Sequence, residues 1–251
     1  MSMIFNLNLT YSKKSQSDEQ TFVKNREILA LQSSETGLLL VDVALGNQRH
    51  KTPASFHRDD ADWLWDRQII QALTRSINAC RKAGIRIFYV QNSSPRIATE
   101  KSEFGAHARR SWNCEIAGLF AESNVDQNEY SHDKLKKNEF PDPLRPEIQD
   151  IYIRKHAYSG FFATRLQSAL RYHAIRTLIC GGIWANGCLL STSLDAFFRN
   201  YKVIWLADAT RASEKPLEFK NRKNTNRFLE WFEFQIGYTL TSIQLIKALN
   251  I

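Results

Sequence analysis

Short aliphatic runs alternate with stretches of helical apolar spacing along most of the chain, and this alternation constrains the fold more than any other sequence feature. The strand-like runs are 37–43, 85–90, 151–155, 175–182 and 202–208. The helical stretches are 63–83, about 164–172, about 188–200, near 214–233 and near 239–249. Strands that alternate with helices form βαβ units with parallel strands. We therefore predict a doubly wound, three-layer α/β/α sandwich around a mostly parallel central sheet.

The 251 residues, 43% of them hydrophobic, suit one large α/β domain. Residues 1–35 are polar and aperiodic, so we expect no strong helix or strand there, only an extension that packs on a neighbour or is partly mobile. Residues 36–251 would form the domain itself. Its irregular stretch 92–150 includes an insertion near 122–148, and loops of that length usually shape a site or an interface.

The composition argues against several classes of protein. No apolar run reaches signal-peptide or membrane-span length, so we expect a cytoplasmic protein with no membrane partner. Four cysteines without regular or zinc-site spacing favour reduced thiols over a disulfide framework. The net charge of +8 is spread over several segments and lies among acidic residues, so we do not expect nucleic-acid binding.

Three polar residues stand at the ends of predicted strands. Asp42 ends the first strand, Lys155 ends the third, and Cys188 follows the fourth strand and opens the next helix. In an open α/β sheet the ligand crevice lies at the carboxyl ends of the strands, so these residues can converge although they are far apart in sequence. We therefore treat them as the candidate catalytic residues.

The position of Cys188 at the start of a helix affects the reactivity of its thiol. Unpaired backbone N–H groups and a nearby ammonium such as Lys155 favour the thiolate form, and the same N–H groups can stabilise an oxyanion. Asp42 would accept the thiol proton and return it to a leaving nitrogen. The glycines that allow the tight turn before the helix are Gly181, Gly182 and Gly187.

Each of these residues also has an ordinary structural interpretation. Cys80 and Cys180 lie within a helix and a strand and are interpreted as inert buried thiols. Cys188 taken alone fits an inert thiol as well as a nucleophile, Asp42 fits a helix cap, and Lys155 fits a surface charge. Only their combination is informative.

The segment 155–210 carries the combination in a recognisable form. It contains Lys155, the YSGFF stretch at 158–162, a GI-x-x-N-x-C turn at 182–188, and an Asp-Ala pair at 195 and 196. Together with GLLLVDV at 37–43, it resembles the isochorismatase-like cysteine hydrolases, and within them the ureidoacrylate amidohydrolases. The similarity runs from about 36 to 251 with one insertion.

The resemblance implies an Asp42, Lys155 and Cys188 triad on the isochorismatase-like hydrolase fold. It also implies a non-proline cis peptide between Ile183 and Trp184, with the N–H groups of Trp184 and Cys188 as the oxyanion hole. A small-molecule substrate and a homo-oligomer, dimer or tetramer, follow from it, and the apolar segment 228–238 suits an interface or the core. No cofactor is implied. Nicotinamidases of this superfamily bind a metal through an Asp-x-His motif that is missing from QNSSPR at 91–96, so we predict no metal.

Position along the chain also suggests a substrate pocket. The pocket candidates are Asn92, Trp112, Tyr158, Phe161 and Trp184. Aromatic walls with one amide suit a small planar amide, ureide or carbamate. For Phe161 and Trp112, packing in the core or at a subunit interface is an equally good interpretation.

Three functions stay open at this point. The first is C–N bond hydrolysis through a thioester on Cys188. The second is isochorismatase-type vinyl-ether hydrolysis, which needs no thiol and is therefore disfavoured by Cys188. The third is a catalytically silent binding or scaffold protein, favoured by the insertion and by departures from the family pattern. Those departures are Ala44, Ala157, Trp184, Ala185 and Gly187.

Overall fold

Eight strands form one sheet in the order β2-β1-β8-β7-β6-β3-β4-β5 of the computed structural model, which describes residues 2–18, 21–43, 60–92, 101–112 and 140–250. The strands are β1 (Ile4–Lys14), β2 (Phe22–Gln32), β3 (Thr36–Val41), β4 (Arg86–Asn92), β5 (Ile151–Lys155), β6 (Thr177–Ile183), β7 (Lys202–Arg211) and β8 (Tyr238–Leu240). The six strands from β3 to β8 pair in parallel, and only the pairings of β1 with β2 and β8 are antiparallel. The predicted mostly parallel sheet is confirmed.

The two faces of the sheet bury separate apolar clusters, which accounts for the unbroken aliphatic runs in the central strands. In β3, Leu38 and Leu40 belong to one cluster, and Leu39 and Val41 belong to the other. Because successive side chains of a strand point to opposite faces, a strand covered on both sides must be apolar throughout. All six residues of β3 are accordingly buried.

Helices cover both faces. They are α1 (Asp60–Lys82), α2 (Glu103–His107), α3 (Leu166–Tyr172), α4 (Cys188–Phe198), α5 (Lys223–Gln235) and α6 (Ser242–Leu249). Residues of α1 and α6, such as Ile77 and Leu245, join the first cluster, and residues of α3 and α4, such as Leu170 and Leu189, join the second. The three-layer α/β/α prediction is therefore confirmed. None of the helices in the described ranges is long and apolar enough to cross a membrane.

The prediction that residues 1–35 contain no strong strand was wrong. β1 and β2 form a hairpin whose 11-residue strands pair along their full length, and β1 joins the sheet beside β8. The missed signal is the strict alternation of buried Phe5, Leu7 and Leu9 with exposed Asn6 and Asn8. Such period-2 alternation is typical of a strand with one face on the core.

The chain also departs from the predicted elements after residue 202. β7 continues to Arg211, three residues past the predicted end, and the region near 214–233 divides into a 3-10 turn at Pro216–Asn221 and α5. The predicted helix near 239–249 begins only at Ser242, because β8 precedes it. A three-residue strand is too short to show any period. Most of the predicted insertion, 122–139, lies outside the described residues.

Truncation of a buried β1 side chain tests whether the hairpin is part of the core. Leu7 is fully buried in the cluster that includes Leu245 and Leu249 of α6. We expect Leu7→Ala to lower the free energy of unfolding by about 2–5 kcal/mol, measured by urea denaturation. The control Asn8→Ala on the exposed face should change it by less than about 0.5 kcal/mol. Equal stabilities of the two variants would contradict the packing of the hairpin.

Candidate active site

The structure brings Asp42, Lys155 and Cys188 together at the carboxyl ends of β3, β5 and β6. The Lys155 Nζ atom lies 2.8 Å from Asp42 Oδ2 and 3.2 Å from Cys188 Sγ. All three residues are buried. The crevice predicted from strand order thus contains a carboxylate, an ammonium and a thiol within direct contact of one another.

Asp42 turns into the crevice because the backbone changes direction after β3. Its φ of +51° lies in the left-handed region, and its N–H donates to the Val90 carbonyl oxygen at 2.9 Å. Its Oδ1 atom accepts a hydrogen bond from the Asn92 N–H at 2.9 Å. One carboxylate oxygen is thus bound by the end of β4, while the other faces Lys155.

Lys155 is fully removed from water and is held by four acceptors. Besides Asp42 and Cys188, its ammonium donates to the Ala157 carbonyl oxygen at 3.1 Å and to the Asn92 side-chain oxygen. Burial by itself lowers the pKa of Lys155, but the adjacent Asp42 and Cys188 raise it by more, so the net shift is upward. The side chain therefore stays an ammonium.

The turn between β6 and α4 aims Cys188 at this cluster. Gly182 has a φ of +117°, and a Cβ atom there would lie 2.0 Å from the Val41 carbonyl oxygen, so glycine is required. The peptide between Ile183 and Trp184 is cis, as predicted from the resemblance. Since Gly187 provides no side-chain cap, the first N–H groups of α4 have no partner from that residue.

The far end of β7 fixes the same turn. Gly182 pairs with Thr210 after an irregularity in the β6–β7 register, and the Thr210 hydroxyl donates to the Gly182 carbonyl oxygen at 2.7 Å. The Ala185 N–H donates to the Arg211 carbonyl oxygen at 2.8 Å. The Asn186 side-chain oxygen accepts from the Ser213 N–H at 3.0 Å. Thr210 and Arg211, which lie past the predicted end of β7, and Ser213, which follows the strand, therefore anchor the nucleophile turn.

The surroundings of Cys188 shift its pKa in both directions. Burial and the neighbouring Asp42 carboxylate raise the pKa of the Cys188 thiol to about 12, although Lys155 lowers it. A hydrogen bond to Asp42 contributes to the upward shift. The sequence showed the ammonium and the helix start, but it did not show how completely water would be excluded. Burial and Asp42 thus favour the protonated thiol, and the Asp42 carboxylate lies where it can accept the proton when the sulfur reacts.

The YSGFF stretch is bonded directly to α4. The Ser159 hydroxyl donates to the Asp195 carboxylate, and the Gly160 N–H donates to the Thr192 hydroxyl oxygen at 2.9 Å. The Thr192 hydroxyl in turn donates to the Cys188 carbonyl oxygen at 2.7 Å. These bonds fix the loop after Lys155 against the helix of Cys188. Thr192 carried no signal of this role in the sequence.

Tyr158 is a pocket candidate that interacts electrostatically with both Cys188 and Lys155. Its side chain is half-buried, burial raises the pKa of its hydroxyl, and the electrostatic interaction with Cys188 raises it further. The ring of Phe104, in α2, packs edge-on against it with the ring centroids 5.1 Å apart. Phe104 was missed because it lies in the irregular 92–150 stretch, where no period marks its position. Its ring is in contact with one of the predicted pocket residues.

The other candidates separate into different environments. Trp184 is partly exposed, and the Arg211 guanidinium lies 4.4 Å from the centroid of its ring. Phe161 is buried in the second cluster, near Tyr201 and under the guanidinium of Arg199, which supports the core interpretation. Trp112 ends a π-helical turn, Ala108–Trp112, and its side chain lies outside the described part of the structure. The use of these residues in substrate binding stays a prediction.

The described ranges contain no group of three or more His, Cys, Asp or Glu residues placed to hold a metal ion. Of the QNSSPR segment only Gln91 and Asn92 are described. The absence of a metal or cofactor, and the use of the Trp184 and Cys188 N–H groups as an oxyanion hole, therefore stay predictions.

Comparison with known proteins adds independent information. The family model for the isochorismatase domain matches residues 61–231. A ureidoacrylate amidohydrolase of Methylobacterium radiotolerans is 32% identical over 211 residues, which are 82% of this chain and 78% of that protein. One of Acinetobacter baylyi is 30% identical over 82% of each chain. One of Methylorubrum extorquens is 34% identical over 65% of each chain, so that match spans slightly less than two thirds of the relative.

Solved structures share the fold at lower identity. A cysteine hydrolase of Pseudomonas syringae superposes with a TM-score of 0.69 at 20% identity, over 88% of this chain and 94% of that one. An N-carbamoylsarcosine amidase of Thermoplasma acidophilum superposes with a TM-score of 0.55 at 23% identity, over 83% and 96%. The predicted isochorismatase-like hydrolase fold is confirmed.

The raised pKa of Cys188 determines how its reactivity depends on pH. Because only the thiolate reacts, we expect its alkylation by iodoacetamide to accelerate about tenfold per pH unit from pH 7 to pH 9, without a plateau. Peptide mass spectrometry identifies the modified residue, and Cys188→Ser provides the blank. A rate that levels off near pH 7 would show a low-pKa thiol and contradict the arrangement described above.

Proposed function

Because the chain belongs to the isochorismatase family, and its buried thiol, ammonium and carboxylate are in mutual contact, we propose that it is a cysteine hydrolase that cleaves a C–N bond of a small amide, ureide or carbamate. The observation that carries the proposal is the position of Lys155 Nζ, 2.8 Å from Asp42 Oδ2 and 3.2 Å from Cys188 Sγ. The ureidoacrylate amidohydrolases among the relatives, 30–34% identical, support a C–N bond as the target.

The reaction divides into two steps. Asp42 takes the Cys188 proton as Sγ attacks the substrate carbonyl carbon, and the carbonyl oxygen becomes an oxyanion facing the N–H groups of Trp184 and Cys188. The C–N bond then breaks, and Asp42 gives its proton to the leaving nitrogen, which leaves a thioester. A water molecule, deprotonated by Asp42, attacks the thioester carbon. Sγ leaves with that proton, and the free thiol is restored together with the acid product.

Lys155 stabilises the sulfur when it carries charge. Because burial and Asp42 raise the pKa of the Cys188 thiol, proton transfer to Asp42 accompanies the attack of Sγ. As the proton leaves, the ammonium already in contact with Sγ compensates the developing negative charge. In this mechanism Asp42 is the general base and the general acid, and Lys155 stabilises the negative charge on Sγ.

The candidate pocket residues support a small, partly planar substrate. The rings of Tyr158 and Phe104 pack edge to face, and Trp184, within the nucleophile turn, has the Arg211 guanidinium over its ring. Flat side chains such as these favour a planar amide, ureide or carbamate group. Trp184 departs from the small residue common in the family, so we infer that it changes the pocket shape relative to the relatives.

The contacts of Lys155 with Asp42 and Cys188 favour a cysteine hydrolase over a vinyl-ether hydrolase or a catalytically silent scaffold. A vinyl-ether hydrolase has no use for a thiol bound to the ammonium, and a silent scaffold has no use for a buried charge pair against a cysteine. The proposal also includes a cytoplasmic location and a homo-oligomer (dimer or tetramer), both carried over from the sequence, whereas the predicted domain start at residue 36 does not hold because the hairpin of residues 4–32 belongs to the same sheet. Size-exclusion chromatography with light scattering tests the oligomer.

Removal of the nucleophile should abolish turnover. We expect Cys188→Ala to release no ammonia from a panel of small amides, ureides and carbamates, while circular dichroism shows a retained fold. The matched control Cys80→Ala removes a buried thiol from the opposite face of the sheet and should keep its activity. The unaltered protein should gain the mass of an acyl or carbamoyl group on Cys188. Undiminished ammonia release by Cys188→Ala would refute the proposal.

Truncation of the Phe104 side chain should raise KM more than it lowers kcat. Because the Phe104 ring contacts Tyr158, which is not a member of the triad, we expect Phe104→Ala to raise KM by about 3–10-fold and change kcat less than about twofold. The control Phe198→Ala removes an exposed aromatic ring from the other end of α4. A large fall in kcat with KM unchanged would place Phe104 outside the pocket wall.

A further inference from the structure

Asn92 contacts both members of the buried ion pair. It is the last residue of β4, the strand between β3 and β5, and it lies directly opposite Lys155 in the register. Its N–H donates to Asp42 Oδ1 at 2.9 Å, and its side-chain oxygen accepts from Lys155 Nζ. One buried residue thus links the base and the cation through two different groups.

The orientation of the Asn92 amide is fixed by chemistry. An ammonium can only donate, so the amide must turn its oxygen, and not its NH2 group, toward Lys155. The residue is 8% exposed, which leaves little room for another rotamer. The pocket role predicted from the sequence used Asn92 as a substrate contact, whereas its oxygen is committed to the catalytic cation.

The ammonium of Lys155 has three N–H groups but four acceptors around it. The position of Nζ is therefore set by competition among four acceptors that attract it in different directions. The Asp42 carboxylate is the strongest acceptor because it is charged. If the Asn92 oxygen were removed, the balance would shift toward Asp42, and contact with the weakly accepting sulfur would be the first to lengthen.

We propose that Asn92 is a positioning residue that keeps the Lys155 ammonium in contact with Cys188 Sγ. The role rests on the proposed function, because the contact matters only if Cys188 is the nucleophile. Asn92 acts through Lys155 and through Asp42 and does not need to touch the substrate. Its contribution therefore appears in the chemical step and in the reactivity of the thiol, and not in substrate affinity.

Two side-chain replacements separate this role from packing. Asn92→Leu keeps the size of the side chain without an acceptor, and Asn92→Ala removes both; each retains the backbone N–H that binds Asp42. In both variants we expect kcat to fall about 10–100-fold with KM within about twofold. Alkylation of Cys188 by iodoacetamide at pH 9 should slow by a similar factor. Asn8→Ala, an exposed asparagine on β1, should match the unaltered protein in every measurement.

The alkylation rate needs no substrate, so it distinguishes this inference from the proposed function. If Cys188→Ala retained turnover, the proposed function would fail, whereas the alkylation difference would still report whether Asn92 holds Lys155 on the thiol. Alkylation at the unaltered rate in a folded Asn92 variant overturns the inference. A raised KM with unchanged kcat overturns it in favour of a pocket role, and loss of the fold in both variants overturns it in favour of a structural one.

Discussion

A carboxylate and an ammonium that meet 2.8 Å apart, both almost completely removed from water, hold the carboxyl ends of β3 and β5 in relation to each other. Loss of either partner of such a pair leaves an uncompensated buried charge and typically costs about 3–5 kcal/mol. Further hydrogen bonds from neighbouring residues offset the cost of burying the pair. The N–H and the side-chain oxygen of Asn92, together with the Ala157 carbonyl, perform that task.

The remainder of the crevice is organised around this pair by elements distant in sequence. β7 fixes the turn that leads to Cys188, through Thr210 and the backbone of Arg211. The loop after Lys155 is bonded to the first turns of α4 through Gly160 and Thr192. Two independent sets of hydrogen bonds thus hold the thiol and the ammonium in place. The ammonium can therefore stabilise charge on the sulfur without reorganisation of the site.

Local sequence pattern is informative where a strand or helix is long and has one consistent environment on each face. The parallel strands and covering helices followed from continuous apolar runs and from helical spacing, because a strand buried on both faces cannot contain polar side chains. The first strand of the hairpin shows a strand pattern, because apolar Phe5, Leu7 and Leu9 alternate with polar residues. The prediction missed this strand because the segment as a whole is polar. β8 has three residues, too few to show a period.

The sequence by itself determined which groups the crevice contains. Asp42, Lys155 and Cys188 were identified because strand ends in a parallel sheet meet at one edge, and a resemblance in motif agreed with that placement. Only the tertiary structure decided the state of those groups. Desolvation and the distances between charges set a pKa, and both depend on what packs around a residue from other elements. The upward shift of the Cys188 pKa, the shared acceptors of Lys155 and the ring of Phe104 against Tyr158 could therefore not be predicted from sequence order.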